Sequence, residues 1–212
     1  MNRPVTIVDY GRGNLYSVAR SVIAAGGDPI VTDSAADVAR AERVILPGVG
    51  AFGDAMTRLR ENGFTDALRE FTDTGRPFLG ICLGMQLLFD TSEEHGMHAG
   101  LGFLSGRVVR LPTDPATELP KVPSVGWARL RADRPEAWEK TILRTCTDRD
   151  YCYFVHSFHS VPSDRTQETA WYDFGGQKVT AVVTYGNVSG CQFHPEKSAE
   201  PGGRILSAWL KY

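Results

Sequence analysis

The stretch best equipped for covalent chemistry is Gly80-Ile81-Cys82-Leu83-Gly84-Met85-Gln86-Leu87-Leu88-Phe89. It follows the apolar run Pro77-Phe78-Leu79 and leads into a helix-like segment, and its cysteine has a glycine two residues to either side. That spacing is the thiol counterpart of a strand-to-helix nucleophile elbow, where glycines let the backbone approach closely. Cys82 is then expected to stand exposed at the start of a helix, where N–H groups without intrahelical partners favour a thiolate. A small buried thiol in an apolar strand fits this stretch equally well.

A cysteine nucleophile needs a base, and the base needs an orienting group. Of His95, His98, His156, His159 and His194, only His194 has a carboxylate two residues away, in His194-Pro195-Glu196. Pro195 keeps His194 out of the helical region. In extended chain, residues two apart project to the same side, so Glu196 can bond one ring nitrogen while the other faces Cys82. By itself the segment reads more readily as a proline turn with an incidental ion pair; beside an elbow cysteine, the triad becomes the stronger reading. The pairs His95/His98 and His156/His159 have a spacing that a metal could use, but neither comes with further ligands at metal-site spacing. No metal is expected, and these histidines read as polar loop or sheet-end residues. Pro47-Gly48-Val49-Gly50-Ala51-Phe52-Gly53 carries more glycine than a simple turn needs. It is either a flexible surface loop or a loop whose backbone N–H groups approach a substrate oxygen.

These residues need a scaffold, and the chain supplies alternating strands and helices. Val5–Asp9, Pro29–Thr32 and Val44–Leu46 read as strands. Asp9–Asn14 reads as a turn, with Asn14 placed to cap a helix carrying Leu15, Val18, Val22 and Ile23 up to Gly26-Gly27. Phe64–Phe71 reads as a helix ending near Gly75. From Gly106 onward shorter strands follow at 107–111, 151–155, 179–183 and 188–193, and Ile205–Leu210 closes the chain as a helix. The pattern predicts an α/β fold: an open, mostly parallel twisted sheet with flanking helices and an added antiparallel portion that extends it. In such a sheet the carboxyl ends of the strands form the binding edge, so Asn14, Val49 and Cys82 should lie near one crevice.

Composition bounds the rest. The chain has 212 residues, 42% of them hydrophobic, enough for a substantial core, and no linker or repeat divides it. One unit over 1–212 is expected. Net charge is −2 with the signs interspersed, which argues against nucleic acid and membrane surfaces as partners. No stretch reads as a signal peptide or a membrane span. Cys82, Cys146, Cys152 and Cys191 have no paired spacing and read as free thiols in a reducing, cytoplasmic compartment. Trp127, Trp138, Trp171 and Trp209 read as packing residues rather than a stacking platform.

Three segments, Gly80–Gln86, Leu46–Phe52 and Gln192–Ser198, resemble the class I glutamine amidotransferases. More narrowly, Asp9–Leu15, Tyr153–Ser157 and Gly186–Val188 resemble the glutaminase subunits of imidazole glycerol phosphate synthase, and the likeness runs in order along nearly the whole chain. The resemblance implies a flavodoxin-like amidotransferase fold and hydrolysis of glutamine to glutamate and ammonia without a cofactor. Cys82 would form a glutamyl thioester, His194 would relay protons and Glu196 would orient it. Leu83 and the Val49-Gly50 loop would supply the oxyanion donors. Gln86, four residues after Cys82 and on the same helix face, would grip glutamine together with Glu94, although Glu94 also fits a solvated loop charge.

The resemblance further implies a heterodimer with a (β/α)₈ cyclase subunit that receives the ammonia. Asn14 and Lys197 match positions facing that partner, and Trp127 is assigned to the same interface. One segment departs from the family pattern, Pro-His-x-Gly-Trp-Asn, reading Pro123-Ser124-Val125-Gly126-Trp127-Ala128. A related glutaminase feeding a sugar amidotransferase in surface-polysaccharide synthesis is therefore the second reading. A non-enzymatic glutamine-binding regulator and a free-standing cysteine hydrolase are weaker alternatives, because Cys82, His194 and Glu196 are all present and Gln86 accompanies them.

Overall fold

The structure, a computed structural model, describes residues 3–113 and 120–212. In chain order the first part runs β1 (Pro4–Val8), α1 (Leu15–Ala24), β2 (Asp28–Thr32), α2 (Ala35–Arg40), β3 (Val44–Gly48), α3 (Phe52–Glu61), α4 (Phe64–Asp73), β4 (Phe78–Cys82) and the single turn α5 (Leu83–Gln86). The second part runs β5 (Phe89–Ser92), β6 (His98–Ala99), β7 (Leu104–Arg110), β8 (Ser124–Arg129), β9 (Tyr151–His156), β10 (Phe158–Pro162), β11 (Glu168–Phe174), β12 (Gln177–Tyr185), β13 (Val188–Cys191) and α6 (Ala199–Trp209).

Seven strands form the main sheet in the order β11-β12-β13-β4-β3-β1-β2. Its centre is parallel, from β2 through β1, β3 and β4 to β13, while β12 and β11 add antiparallel strands beyond β13. β3 and β4 are buried along their whole length, as parallel strands covered on both faces must be. Side chains alternate across the sheet: Val5, Ile7, Ile45, Leu79 and Ile81 join one apolar core with α1 and α6. Val8, Val44, Leu46 and Phe78 join the other with α2, α3 and α4.

Several expectations need correction. Asn14 occupies the cap position of α1 but makes no side-chain cap; its place in the helix is marked only by the main-chain bond from Val18 N–H to its carbonyl (3.1 Å). Ile23 points to solvent at 61% exposure, so the buried stripe of α1 is Val18 and Val22. Only the last two of the four later strands extend the main sheet. The strand at 107–111 is β7, which lies in a separate sheet ordered β10-β7-β5-β6, and that at 151–155 is β9, which pairs with β8 as a two-stranded ribbon. The places beside β4 are already filled by β3 and β13, leaving no central edge for them. Of the two readings for His156 and His159 the structure gives the sheet-end one: His156 ends β9 and His159 is the second residue of β10, both buried. Trp138 and Trp209 pack inside, whereas Trp127 is 53% exposed and is not a packing residue.

Candidate active site

The register of the sheet builds the site. Gly48 lies opposite Cys82 across β3 and β4, so the glycine-rich loop and the elbow leave the sheet side by side. Cys82 ends β4 at φ 55°, ψ −111°, a conformation L-residues rarely adopt and one that turns the chain sharply into α5. The flanking glycines are steric requirements. A Cβ on Gly84 would stand 1.8 Å from the Leu46 carbonyl oxygen, and one on Gly80 would stand 2.7 Å from the Gly84 carbonyl oxygen.

Cys82 was expected to be exposed; it is 7% exposed and opens only to the crevice. Walls rising from β9 and from the segment after β13 account for this. Cys82 Sγ lies 4.0 Å from the Val155 carbonyl oxygen, and Gln192 Nε2 lies 3.8 Å from Sγ. The helix behind Cys82 is a single turn, so only a short dipole backs the thiol.

His194 is extended at φ −98°, ψ 99°, as a residue before proline should be. Its N–H donates to the Tyr153 carbonyl (3.0 Å), and its own carbonyl accepts from Ser198 Oγ (2.6 Å). These two bonds fix the backbone, and the ring then has one orientation that suits Glu196. Nδ1 and Glu196 Oε1 are 2.8 Å apart, with both side chains almost wholly buried. Burial pulls the imidazole pKa down, but Cys82 and Glu196 together outweigh it and leave the pKa raised. Nε2 makes no hydrogen bond of ordinary geometry, yet Cys82 is near enough to raise the ring's pKa, a looseness common before substrate binds.

Val49, Gly50, Cys82, Leu83, Gln86, Glu94 and His194 all line one cavity of about 280 Å³. All eight residues singled out for chemistry are therefore brought together, since Glu196 stands directly behind His194. Gln86 Nε2 donates to the Phe158 carbonyl (2.8 Å) and to Gln192 Oε1 (3.0 Å), so its carbonyl oxygen is what it can offer a ligand. Glu94 is not a solvated charge. Its Oε2 accepts from the Phe52 N–H (2.7 Å) at the first turn of α3, where a negative charge is favoured. Gly50 adopts φ 97° with open space around it, so conformation and not crowding calls for glycine there.

Asn14, Lys197 and Trp127 lie outside this cavity. The Lys197 ammonium sits 5.9 Å from the centre of the Tyr153 ring, and Trp127 meets the same ring edge-on at 6.0 Å. Among the described residues, no group of three or more His, Cys, Asp or Glu is placed to hold a metal ion.

The roles of two contributors escaped the sequence reading. Gln192 is fully buried and touches both Cys82 and Gln86; its signal was position, two residues before His194 in extended chain. His156 lines the cavity, bonding the Phe158 carbonyl through Nδ1 (2.8 Å) and the Tyr172 hydroxyl through Nε2 (2.9 Å). Burial lowers its pKa to about 3, so it stays neutral and serves as a strut.

A cysteine at a strand-to-helix elbow beside a His–Glu couple, at the carboxyl edge of the parallel strands, has the arrangement that thiol-based amide hydrolysis calls for. The class I glutamine amidotransferase family model matches residues 6–210, and the chain belongs to that family. Within it the chain is similar to the imidazole glycerol phosphate synthase subunit HisH of Syntrophotalea carbinolica, at 45% identity over 95% of this chain and 97% of the relative. The HisH subunit of Desulfitobacterium hafniense is 43% identical over 98% of this chain and 94% of its own length. Among solved structures, PurLQS from Thermotoga maritima superposes with a TM-score of 0.73 at 21% identity, covering 100% of this chain and 99% of that one, a likeness of fold.

Proposed function

We propose that the chain is the glutaminase subunit of an imidazole glycerol phosphate synthase, working in the cytoplasm as a single unit. The observation that carries this reading is the buried His194–Glu196 couple coupled to Cys82 in a cavity that also holds Gln86 and Glu94. Glutamine enters with its carboxamide at Cys82 and its amino-acid end toward Gln86 and Glu94. The thiolate attacks the carboxamide carbon, and the oxyanion that develops is met by N–H groups of Leu83 and the Val49-Gly50 loop. His194 gives its proton to the departing amine, releasing ammonia and leaving a glutamyl thioester. It then takes a proton from water, whose attack frees glutamate and restores Cys82. Glu196 holds the ring in place and balances its charge throughout.

Ammonia released into neutral water would be protonated and lose its nucleophilicity, so it must pass directly to an acceptor site. The relatives are subunits of imidazole glycerol phosphate synthase, and a (β/α)₈ cyclase is the partner proposed here. Asn14, Lys197 and Trp127 form its docking surface, with Lys197 next in sequence to the triad acid. Ser124 and Ala128 on β8, where the segment departs from the family pattern, keep one competing partner in view, a sugar amidotransferase. Glutamate release from the purified chain, with and without a cyclase and its ribonucleotide, tests the reading. Low release alone and strong stimulation together support it. Full activity alone overturns the coupling, and indifference to the cyclase favours the sugar enzyme.

A further inference from the structure

Tyr10 lies in the turn that follows β1 and is 1% exposed, yet its hydroxyl makes no hydrogen bond. A buried hydroxyl without a partner destabilises the fold, and phenylalanine would fill the same space without that cost. The hydroxyl lies where a Gly48 side chain would begin: a Cβ there would be 2.6 Å from it, 2.9 Å from Leu83 Cβ and 3.0 Å from the Gly84 nitrogen. Tyr10 therefore stands behind the junction of the glycine loop and the elbow, while Val49 and Cys82 face the cavity in front. Burial and the nearby Cys82 charge both keep the phenol protonated, against a smaller opposing pull from Arg12, so it is available as a donor.

We propose that Tyr10 is a positioning residue for the oxyanion site, its hydroxyl donating to the Gly48 carbonyl during turnover. Within one peptide plane the carbonyl and the following N–H point in opposite directions. Holding the Gly48 carbonyl at the back thus presents the Val49 N–H at the front, toward an oxygen on a substrate joined to Cys82. Beyond the β3–β4 pairing of Gly48 with Cys82 the loop is loosely packed: Val49 is 42% exposed, and the space around Gly50 is open. This inference rests on the glutaminase reading above.

The test is Tyr10→Phe in the complex purified with its native partner, with Cys82→Ser alongside. Loss of one positioning bond should lower kcat for glutamine about ten- to a hundred-fold with KM within about two-fold. The melting temperature should be unchanged or higher, because an unpaired hydroxyl has been removed. Alkylation of Cys82 by iodoacetamide, followed by peptide mass spectrometry, should keep its wild-type rate, since that reaction develops no oxyanion. An unchanged kcat overturns the proposal, and so does a fall in kcat matched by slower alkylation or a lower melting temperature. Glutamate release by Cys82→Ser at the wild-type rate, or none from the wild-type complex, overturns the glutaminase reading and this inference with it. Failure of Tyr10→Phe alone leaves that reading standing.

Discussion

The chemistry proposed for Cys82 and His194 depends on a sulfur and an imidazole held side by side inside the protein. Cys82→Ser keeps the shape of the elbow but replaces a polarisable thiolate with an alcohol. Glutamate release should fall by about a thousand-fold or more, with the fold intact by circular dichroism. Glu196→Gln keeps the 2.8 Å contact's geometry and removes its charge. Because Cys82 and Glu196 are what raise the His194 pKa against burial, the variant should titrate at lower pH than wild type by NMR of the ring protons. An unmoved or higher titration would mean that Glu196 does not stabilise the imidazolium. The sign also fixes a stability trend. The folded pKa, about 10, lies above that of an unfolded histidine, so this contribution is full below neutral pH and fades as the pH rises through the folded value.

At the scale of elements, α5 can follow β4 only because Gly84 lets it lie against β3. Gly84→Ala would place a methyl group 1.8 Å from the backbone oxygen of Leu46, and neither strand nor turn can yield cheaply. The variant should lose about 3 kcal/mol or more and melt about 10 °C lower, with glutaminase activity lost as the elbow shifts. A melt within a degree or two of wild type would refute the packing argument. This contact also explains what the sequence made legible. Gly-x-Cys-x-Gly and His-Pro-Glu are local patterns whose geometry is set within a few residues, so they could be read directly. The central strands were legible for a similar reason, being short apolar runs between turns. The start of α6 was not, because Pro201, Gly202 and Gly203 look like helix breakers. In the fold Pro201 sits in the first turn, where proline is tolerated, and Gly202 passes so close to Pro195 that a Cβ would lie 2.0 Å from its carbonyl oxygen. Tyr10 is placed by contacts across the sheet, of which local pattern carries no record, and Gln192 showed only in its place two residues before His194.

For the whole molecule, the sheet gathers the site at one edge, and the β8–β9 ribbon offers a surface beside it. Val125, Trp127, Tyr151 and Val155 are all exposed on that ribbon. Trp127 stacks edge-on against Tyr153, whose ring also lies near Lys197, and Tyr153's carbonyl receives the His194 N–H. A protein seated on Trp127 would thus press on a strand that holds the proposed catalytic base. Trp127→Ala should weaken binding of the proposed cyclase partner by about thirty-fold, the loss typical of a buried aromatic anchor, measured by calorimetric titration. Its melting temperature should stay near wild type, because a half-exposed ring contributes little to the folded chain alone. Saturating cyclase should then give the mutant less stimulation of glutamate release than the wild type, since Tyr153 loses the ring that braces it. Equal affinity would move the docking surface elsewhere. Weakened affinity with full stimulation at saturation would leave Trp127 as an anchor and rule out transmission through Tyr153.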